Sequence, residues 1–426
     1  MSTPATNETP GAPEDPFRAK DALFGVGLMR DPHPRLHELM DAGPVHAGSM
    51  SGQFGMIGPD NVIYPEAGQM TVVGFDAVEE GFRDPERFSN SWYQPSLGAV
   101  IGRTILEMDP PEHYRFRLLL QGAFSKKEMQ RWEREFVRDI VRSHLEPLVP
   151  RGRADLATEF AFHYPITVTA VAAGLPVEDV PAFYRQAALL TNVSVPEATR
   201  RQAARELGEM VQVLIDERRR EPKGDLIGLL VDAEFKKIED PNKQRLTDDE
   251  IVAFLRLLVP AGAQTTYRSL TNLLFGLLTH PDQFDAVQAD RSLIPAAIEE
   301  GLRWEAPLLS FGRTCTRDTT IAGQPIPAGS PVNLCVHAAN HDASRWDRPD
   351  EFDIFRPPLA HIAFGQGNHI CLGIHFARME LRVALEEILD RLPNLRLDPD
   401  ATDVHITGLS SRTAINLPCV WDPRES

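Results

Sequence analysis

Cysteine is scarce in this chain: Cys315, Cys335, Cys371 and Cys419 are the only four in 426 residues. No two stand in a Cys-x-x-Cys pair, which speaks against a structural zinc site. Four in so long a chain make no disulfide scaffold, so each reads first as a small buried hydrophobe. Long apolar runs are lacking too. None reaches the roughly 20 residues that cross a bilayer. Met1 to Pro16 is rich in proline, threonine and acids without a basic-then-apolar signal pattern, so it reads as a disordered tail rather than a secretory leader. The expected location is the cytoplasm. Positive charge is in deficit, with 44 Lys and Arg against 61 Asp and Glu and a formal net charge of −17. Nucleic acid is therefore not expected as a partner, because phosphate binding needs a basic footprint.

What is present is enough apolar material, 42% of residues, for one large domain over residues 17–426. No low-complexity linker divides the apolar runs. Met70-Thr-Val-Val-Gly74 reads as a strand, and helical patterns then dominate to about Leu302. Pro110-Pro111-Glu112 suits a helix start. The charged segment Thr199 to Arg220 reads as a helix, and Asp240 to Arg245 as a polar loop. The clearest helix follows. Thr247 and Glu250 make a capping-box pattern, an apolar run continues through Leu278, and His280-Pro281 ends it. That predicts a helix roughly 48 Å long, apolar on all sides between Ile251 and Val259 except at Arg256, hence buried across the middle of the molecule. Short strands return from Phe311 to Val336, punctuated by Gly323, Pro325, Pro327 and Gly329. An irregular stretch, Ala338 to Pro358, leads to a glycine-rich loop and a helix from about Leu372 to Leu392. The fold class is mainly α with a small β portion.

Four constellations carry chemistry. The first is Phe364-Gly-Gln-Gly367-Asn-His-Ile-Cys371-Leu-Gly373, a cysteine at the end of a glycine-rich loop and the mouth of a helix. Free N–H groups and the helix dipole stabilise a thiolate there and lower its pKa. From chemistry alone, such a thiolate serves heme ligation or nucleophilic attack equally well. The segment resembles the heme-binding signature of the cytochrome P450 family, Phe-x-x-Gly-x-x-x-Cys-x-Gly, at every fixed position. The resemblance implies heme b (iron protoporphyrin IX) as cofactor, Cys371 as its iron ligand, and Phe364, Gly367 and Gly373 as parts of the heme-binding loop. It extends from about residue 30 to 420 and implies the family's fold, with a long central helix over the heme.

The second is Glu300-Gly-Leu-Arg303, an acid and a base on one helix face. In the P450 family such a pair ties to an arginine before the Cys loop. Arg356, in Phe352-Asp-Ile-Phe-Arg356, matches it, so the triad is expected to be structural. The third is Ala261-Gly262-Ala263-Gln264-Thr265-Thr266. Pro260 removes a backbone hydrogen bond to the Arg256 carbonyl and should kink the helix, and Gly262 leaves a gap for a small molecule. The segment resembles the family's oxygen-binding groove, and Thr265 matches its threonine. Gln264 stands where relatives carry Asp or Glu. An amide does not titrate at working pH and cannot be a general acid, so altered proton delivery is expected. The fourth is a set of cations. His113 and Arg117 share a helix face, and charge-assisted bonds from such groups suit carboxylates. In the family these positions, with Arg313 and His369, bind the heme propionates.

The resemblance implies a monooxygenase that inserts one oxygen atom from O2 into a hydrophobic small organic substrate, typically at a C–H bond. No flavin or iron–sulfur segment is fused to the chain. Electrons are therefore expected from a separate ferredoxin and ferredoxin reductase, with Lys126, Lys127 and Arg131 as docking cations and the protein itself a monomer. Positions expected against substrate are Trp92 to Ile101, Leu189 to Val195, Leu258, Ala261, Leu308 to Phe311 and Leu409, with Ala261, Leu258, Leu308, Leu309, Val100 and Leu409 singled out. Their apolar character suits a hydrophobic ligand without naming it. Two other readings stay open on the same fold: a peroxygenase or isomerase needing no external electrons, and a non-catalytic ligand-binding protein. Gly48 to Gly68 is longer and richer in glycine than the family requires.

Overall fold

The computed structural model describes residues 24–64, 68–192, 195–234 and 245–423. The tail expected over Met1 to Pro16, and the polar loop at Asp240 except for Arg245, lie outside the described residues.

The long helix runs Asp248–Thr279, 32 residues. The Thr247 hydroxyl accepts the Glu250 N–H, and the Glu250 carboxylate accepts the Thr247 N–H, closing the capping box. His280 caps the other end and Pro281 opens a new helix, as its missing N–H allows. Around this central helix pack the helices Tyr164–Ala173, Glu197–Arg220, Ile294–Trp304 and Ile374–Arg391. One contiguous core extends from Val72 to Trp421.

The β portion is mainly one five-stranded sheet. Its spatial order is Val45–Ala47, Met70–Val72, Pro331–Cys335, Ser310–Cys315, Phe88–Ser89. The second and third of these strands are parallel and the other pairs antiparallel. Pro331–Cys335 is buried at every residue, which fits the middle of a sheet covered on both faces. Val336, read as the end of a strand region, instead starts a short helix, Val336–Asn340. The segment from Gly48 to Gly68, apart from residues 65–67, folds around a buried carboxylate. Asp60 accepts the Ser51 N–H and hydroxyl at 3.0 and 2.7 Å, and the Gln69 amide donates to the Asp60 carbonyl. The extra glycines serve that turn: Gly55 is left-handed at φ 68°, a conformation glycine adopts without a Cβ penalty.

Candidate active site

The loop before the helix Ile374–Arg391 carries Cys371, half-buried, with its N–H donating to the Phe364 carbonyl at 2.9 Å. Gly367 turns the chain at φ 70°, and a Cβ there would lie 2.4 Å from the Phe82 carbonyl oxygen. Only glycine fits, for sterics and for conformation together. Gly373 has open space by comparison, its nearest non-neighbouring atom being Cys371 Sγ at 3.9 Å. Phe364 lies under the Arg378 guanidinium, 5.0 Å from the ring centre. The loop is braced from outside by the helix Phe75–Arg83: Gln366 donates to Glu79 at 2.8 Å, and Phe82 backs Gly367. That brace has no signature in sequence, since its residues lie nearly 300 positions away.

The expectation that the helix mouth lowers the Cys371 pKa needs correction. Desolvation pushes the free thiol up, and the Gly373 N–H, Arg117 and Arg378 only pull against it. The helix starts at Ile374, three residues on, so its dipole acts at a distance where it fades. A cation on the sulfur would deprotonate it outright.

Above the loop, His113 is fully buried and neither ring nitrogen meets a protein partner; its ring lies tilted against His369 with centroids 3.9 Å apart. His369 Nε2 is likewise buried without a protein partner. Burial, with the Arg117 charge behind it, holds His113 down to about 4. Burial, then His113, Arg313 and Arg117, hold His369 down to about 2. Arg313, on the strand Ser310–Cys315, is buried, donates to the Gly312 carbonyl at 2.7 Å and lies 5.1 Å over the Phe82 ring. Buried donors without protein acceptors call for an acceptor outside the chain. Imidazole and guanidinium donors gathered on the side of a half-buried cysteine suit a carboxylate-bearing planar cofactor. These residues fit a heme.

On the central helix, Ala261 is exposed and Leu258, Gln264 and Thr265 are half-buried, while Val259, Pro260, Ala263 and Thr266 are buried. This open stripe is the side that can meet a small molecule. Thr265 Oγ1 donates to the Ala261 carbonyl at 2.7 Å. Its hydroxyl proton is thereby committed to the helix, and its lone pairs are free to accept. The gap expected at Gly262 faces elsewhere. A Cβ there would meet Thr169 Oγ1 at 3.4 Å, ordinary contact, so the glycine brings the central helix against Tyr164–Ala173.

Three of the positions singled out against substrate are core instead. Leu309 and Leu409 pack with Leu36, Leu39, Val73 and Ala338, and Val100 packs with Ile101, Leu190, Ala203 and Ala204. Hydrophobicity could not distinguish them, because a core side chain and a pocket side chain are equally apolar. Leu308 is half-buried and forms a bridge with Ser411.

Glu300 and Arg303 form a bidentate pair at 2.8 and 2.7 Å, both buried. Arg303 also donates to the carbonyls of Asn340, Pro349 and Glu351. Arg356 Nε approaches Glu300 at 3.6 Å, while its other nitrogens hold carbonyls of Asp347, Arg348 and Glu351. The triad assembles, with backbone carbonyls as its main clients. On the Cys371 side of the molecule, Lys126, Glu133, His375, Arg378 and Arg382 line a groove of about 240 Å³. Arg131, expected as a free docking cation, is tied to Glu128 and Glu135 at 2.7 Å.

The model of the cytochrome P450 family matches residues 181–407, which hold the central helix, the Glu300–Arg303 pair and Cys371. This chain belongs to the cytochrome P450 family. The P450 is 32% identical over 413 residues to the vitamin D(3) 25-hydroxylase of Pseudonocardia autotrophica, covering 95% of this chain and 97% of that one. It is 33% identical over 387 residues to the cytochrome P450 monooxygenase PikC of Streptomyces venezuelae, covering 88% and 87%. Its fold matches the solved P450 structure CYP109Q5 of Chondromyces apiculatus with a TM-score of 0.81 at 29% identity, covering 95% and 98%. The P450 is a heme-thiolate monooxygenase that binds heme b, takes electrons from redox partners and acts on small molecules. Among the described residues, no helix is long and apolar enough to cross a membrane.

Proposed function

We propose that this P450 hydroxylates a hydrophobic organic molecule of sterol size, fed with electrons by a ferredoxin and its reductase. The observation that carries the reading is the open stripe of Leu258 and Ala261 on the central helix beside Thr265. A relative matched over 95% of this chain is named a vitamin D(3) 25-hydroxylase.

Cys371 Sγ would hold the iron. His113, Arg117, Arg313 and His369 would hold the propionates, the buried imidazoles of His113 and His369 finding there the partners the protein lacks. The heme, when bound, supplies the activation of dioxygen and the oxidation of the C–H bond. The residues of this chain do the rest. Leu258, Ala261 and Leu308 exclude water and orient the substrate. Thr265, its own proton given to the Ala261 carbonyl, accepts a hydrogen bond at the oxygen site. Gln264 orients water there but holds no proton to give. Glu300, Arg303 and Arg356 keep the Cys loop in place. The chain acts as a monomer and a single domain, and the ferredoxin docks on the groove beside Lys126, Lys127 and His375.

The test is titration of the heme-loaded protein with sterols, terpenoids, fatty acids and small aromatics while the Soret band is followed. A spin-state shift at low micromolar sterol, with hydroxylated product on adding ferredoxin, reductase and NAD(P)H, supports the reading. A shift given only by another class moves the substrate to that class. Product formed equally well from peroxide without reductant overturns the electron requirement.

A further inference from the structure

Away from Cys371, three imidazoles meet between the helix His33–Ala42 and the short helix Val336–Asn340. Their ligand nitrogens all lie within 4.8 Å of one another. His337 is fully buried and His33 nearly so, its side chain 12% exposed. His33 Nδ1 donates to the Asp31 carboxylate at 2.9 Å, which leaves Nε2 buried with no protein partner. His337 Nε2 donates to the Ala306 carbonyl at 2.7 Å, which leaves Nδ1 buried with no protein partner. In each ring one acceptor thus sets the tautomer and turns the other nitrogen's lone pair inward. A carboxylate or carbonyl behind the ring is the arrangement that accompanies metal-ligating histidines.

The two rings lie 6.0 Å apart by centroid, near the roughly 5–6 Å that two imidazoles take on one tetrahedral ion with bonds of about 2.0–2.1 Å. His341 is the third member; it stacks on His33 with centroids 4.0 Å apart, closer than two rings on one ion, so it must swing away from His33 to ligate. Its nitrogens face Asp350 and the Trp304 carbonyl, each at 2.8 Å, so it must release one of these bonds to ligate. Asp350 also holds His37. Charge of both signs surrounds the rings: Asp31 and Asp350 sit behind them and Glu305 acts on His33 and His337, while Arg412 opposes it at His337 and Arg303 at His341.

We propose that His33, His337 and His341 bind a divalent transition-metal ion of the zinc type at a site separate from the heme. Three neutral imidazoles with one position left for water make a zinc ligand set. The ion would clamp the first helix of the described chain to the segment that follows the sheet.

The test uses the heme-loaded protein. It is incubated with zinc chloride, freed of excess by gel filtration, and its zinc and iron are counted together by inductively coupled plasma mass spectrometry. About one zinc per heme iron is expected. Asp31 is exposed, so Asp31→Ala should fold while weakening zinc roughly 10–100-fold. His33→Tyr should abolish uptake and leave the ferrous–carbonyl spectrum of the heme unchanged. His337→Phe should do the same; if it does not fold, the other two variants carry the test. Wild-type protein that retains no zinc overturns the proposal, as does a ratio that survives Asp31→Ala and His33→Tyr, which places the zinc elsewhere. Loss of the carbonyl spectrum in His33→Tyr overturns the separation from the heme.

Discussion

Single residues set the chemistry, and three of them yield predictions. Burial pushes the Cys371 thiol up while the Gly373 N–H, Arg117 and Arg378 pull it down, and the thiolate is completed by the cation it would bind. Cys371→Ser should therefore keep the fold and lose the red-shifted Soret band of the thiolate-ligated ferrous–carbonyl state. Retention of that band would remove Cys371 from the iron. Gln264 gives the groove no titratable group. Gln264→Glu should raise the fraction of reductant recovered as product severalfold, measured as product formed per NAD(P)H consumed. An unchanged ratio would mean that protons reach the site by a route that ignores this position. Gly367 has no room for a methyl group against the Phe82 carbonyl and sits at φ 70°. Gly367→Ala should cost about 1–3 kcal/mol and lower heme retention, read by urea titration and by heme per protein. The need for glycine at Gly367 was legible in the signature. Its reason, the approach of Phe82, was not, because nothing local links positions so far apart.

Among elements, the central helix is the one the sequence declares best. Its capping box, its all-round apolar run and its Pro281 stop are local signals, and helix formation is local chemistry. The face it leaves open was only partly legible. Ala261 and Leu258 lie on the open stripe, while Val100, Leu309 and Leu409 went to core, a choice made by neighbours from other elements. The Glu300–Arg303 pair acts at this scale too. It fastens the helix Ile294–Trp304 to the carbonyls of Asn340, Pro349 and Glu351 on the path to the Cys loop. Breaking a buried pair by removing one partner leaves an uncompensated charge and costs about 3–5 kcal/mol. Glu300→Gln should lower the thermal midpoint and heme content together. A variant with wild-type heme content and stability would show that the pair does not hold the loop.

The whole molecule has a predicted pH response. Glu299 and Glu305 are pushed up by burial, but their partners, His361 and Arg378 for Glu299 and Arg412 for Glu305, outweigh it and hold each to about 2. With folded values below unfolded ones, both contribute stability that is present above about 4.5 and lost as pH falls toward 2. His337 and His341 are held down to about 3 and about 4, chiefly by burial. Below about 6.5 the unfolded chain binds protons that these buried rings refuse. The four groups share one sign. The thermal midpoint should therefore fall steadily from pH 6.5 to pH 4, in one cooperative transition since the main core reaches from Val72 to Trp421. A flat midpoint over that range, or two separated transitions, would contradict the reading.

The sequence by itself determined the family, the cysteine, the order of the motifs and the long helix, because each rests on residues within a few positions of one another. Only the tertiary structure decided which leucines go to the core, that Arg131 is spent on glutamates, that Gly262 serves helix packing, and that His33, His337 and His341 lie together. Those outcomes depend on which distant segments fold into contact. The chain brings residue 33 beside residue 337 through the packing of its core, and no local pattern records that meeting.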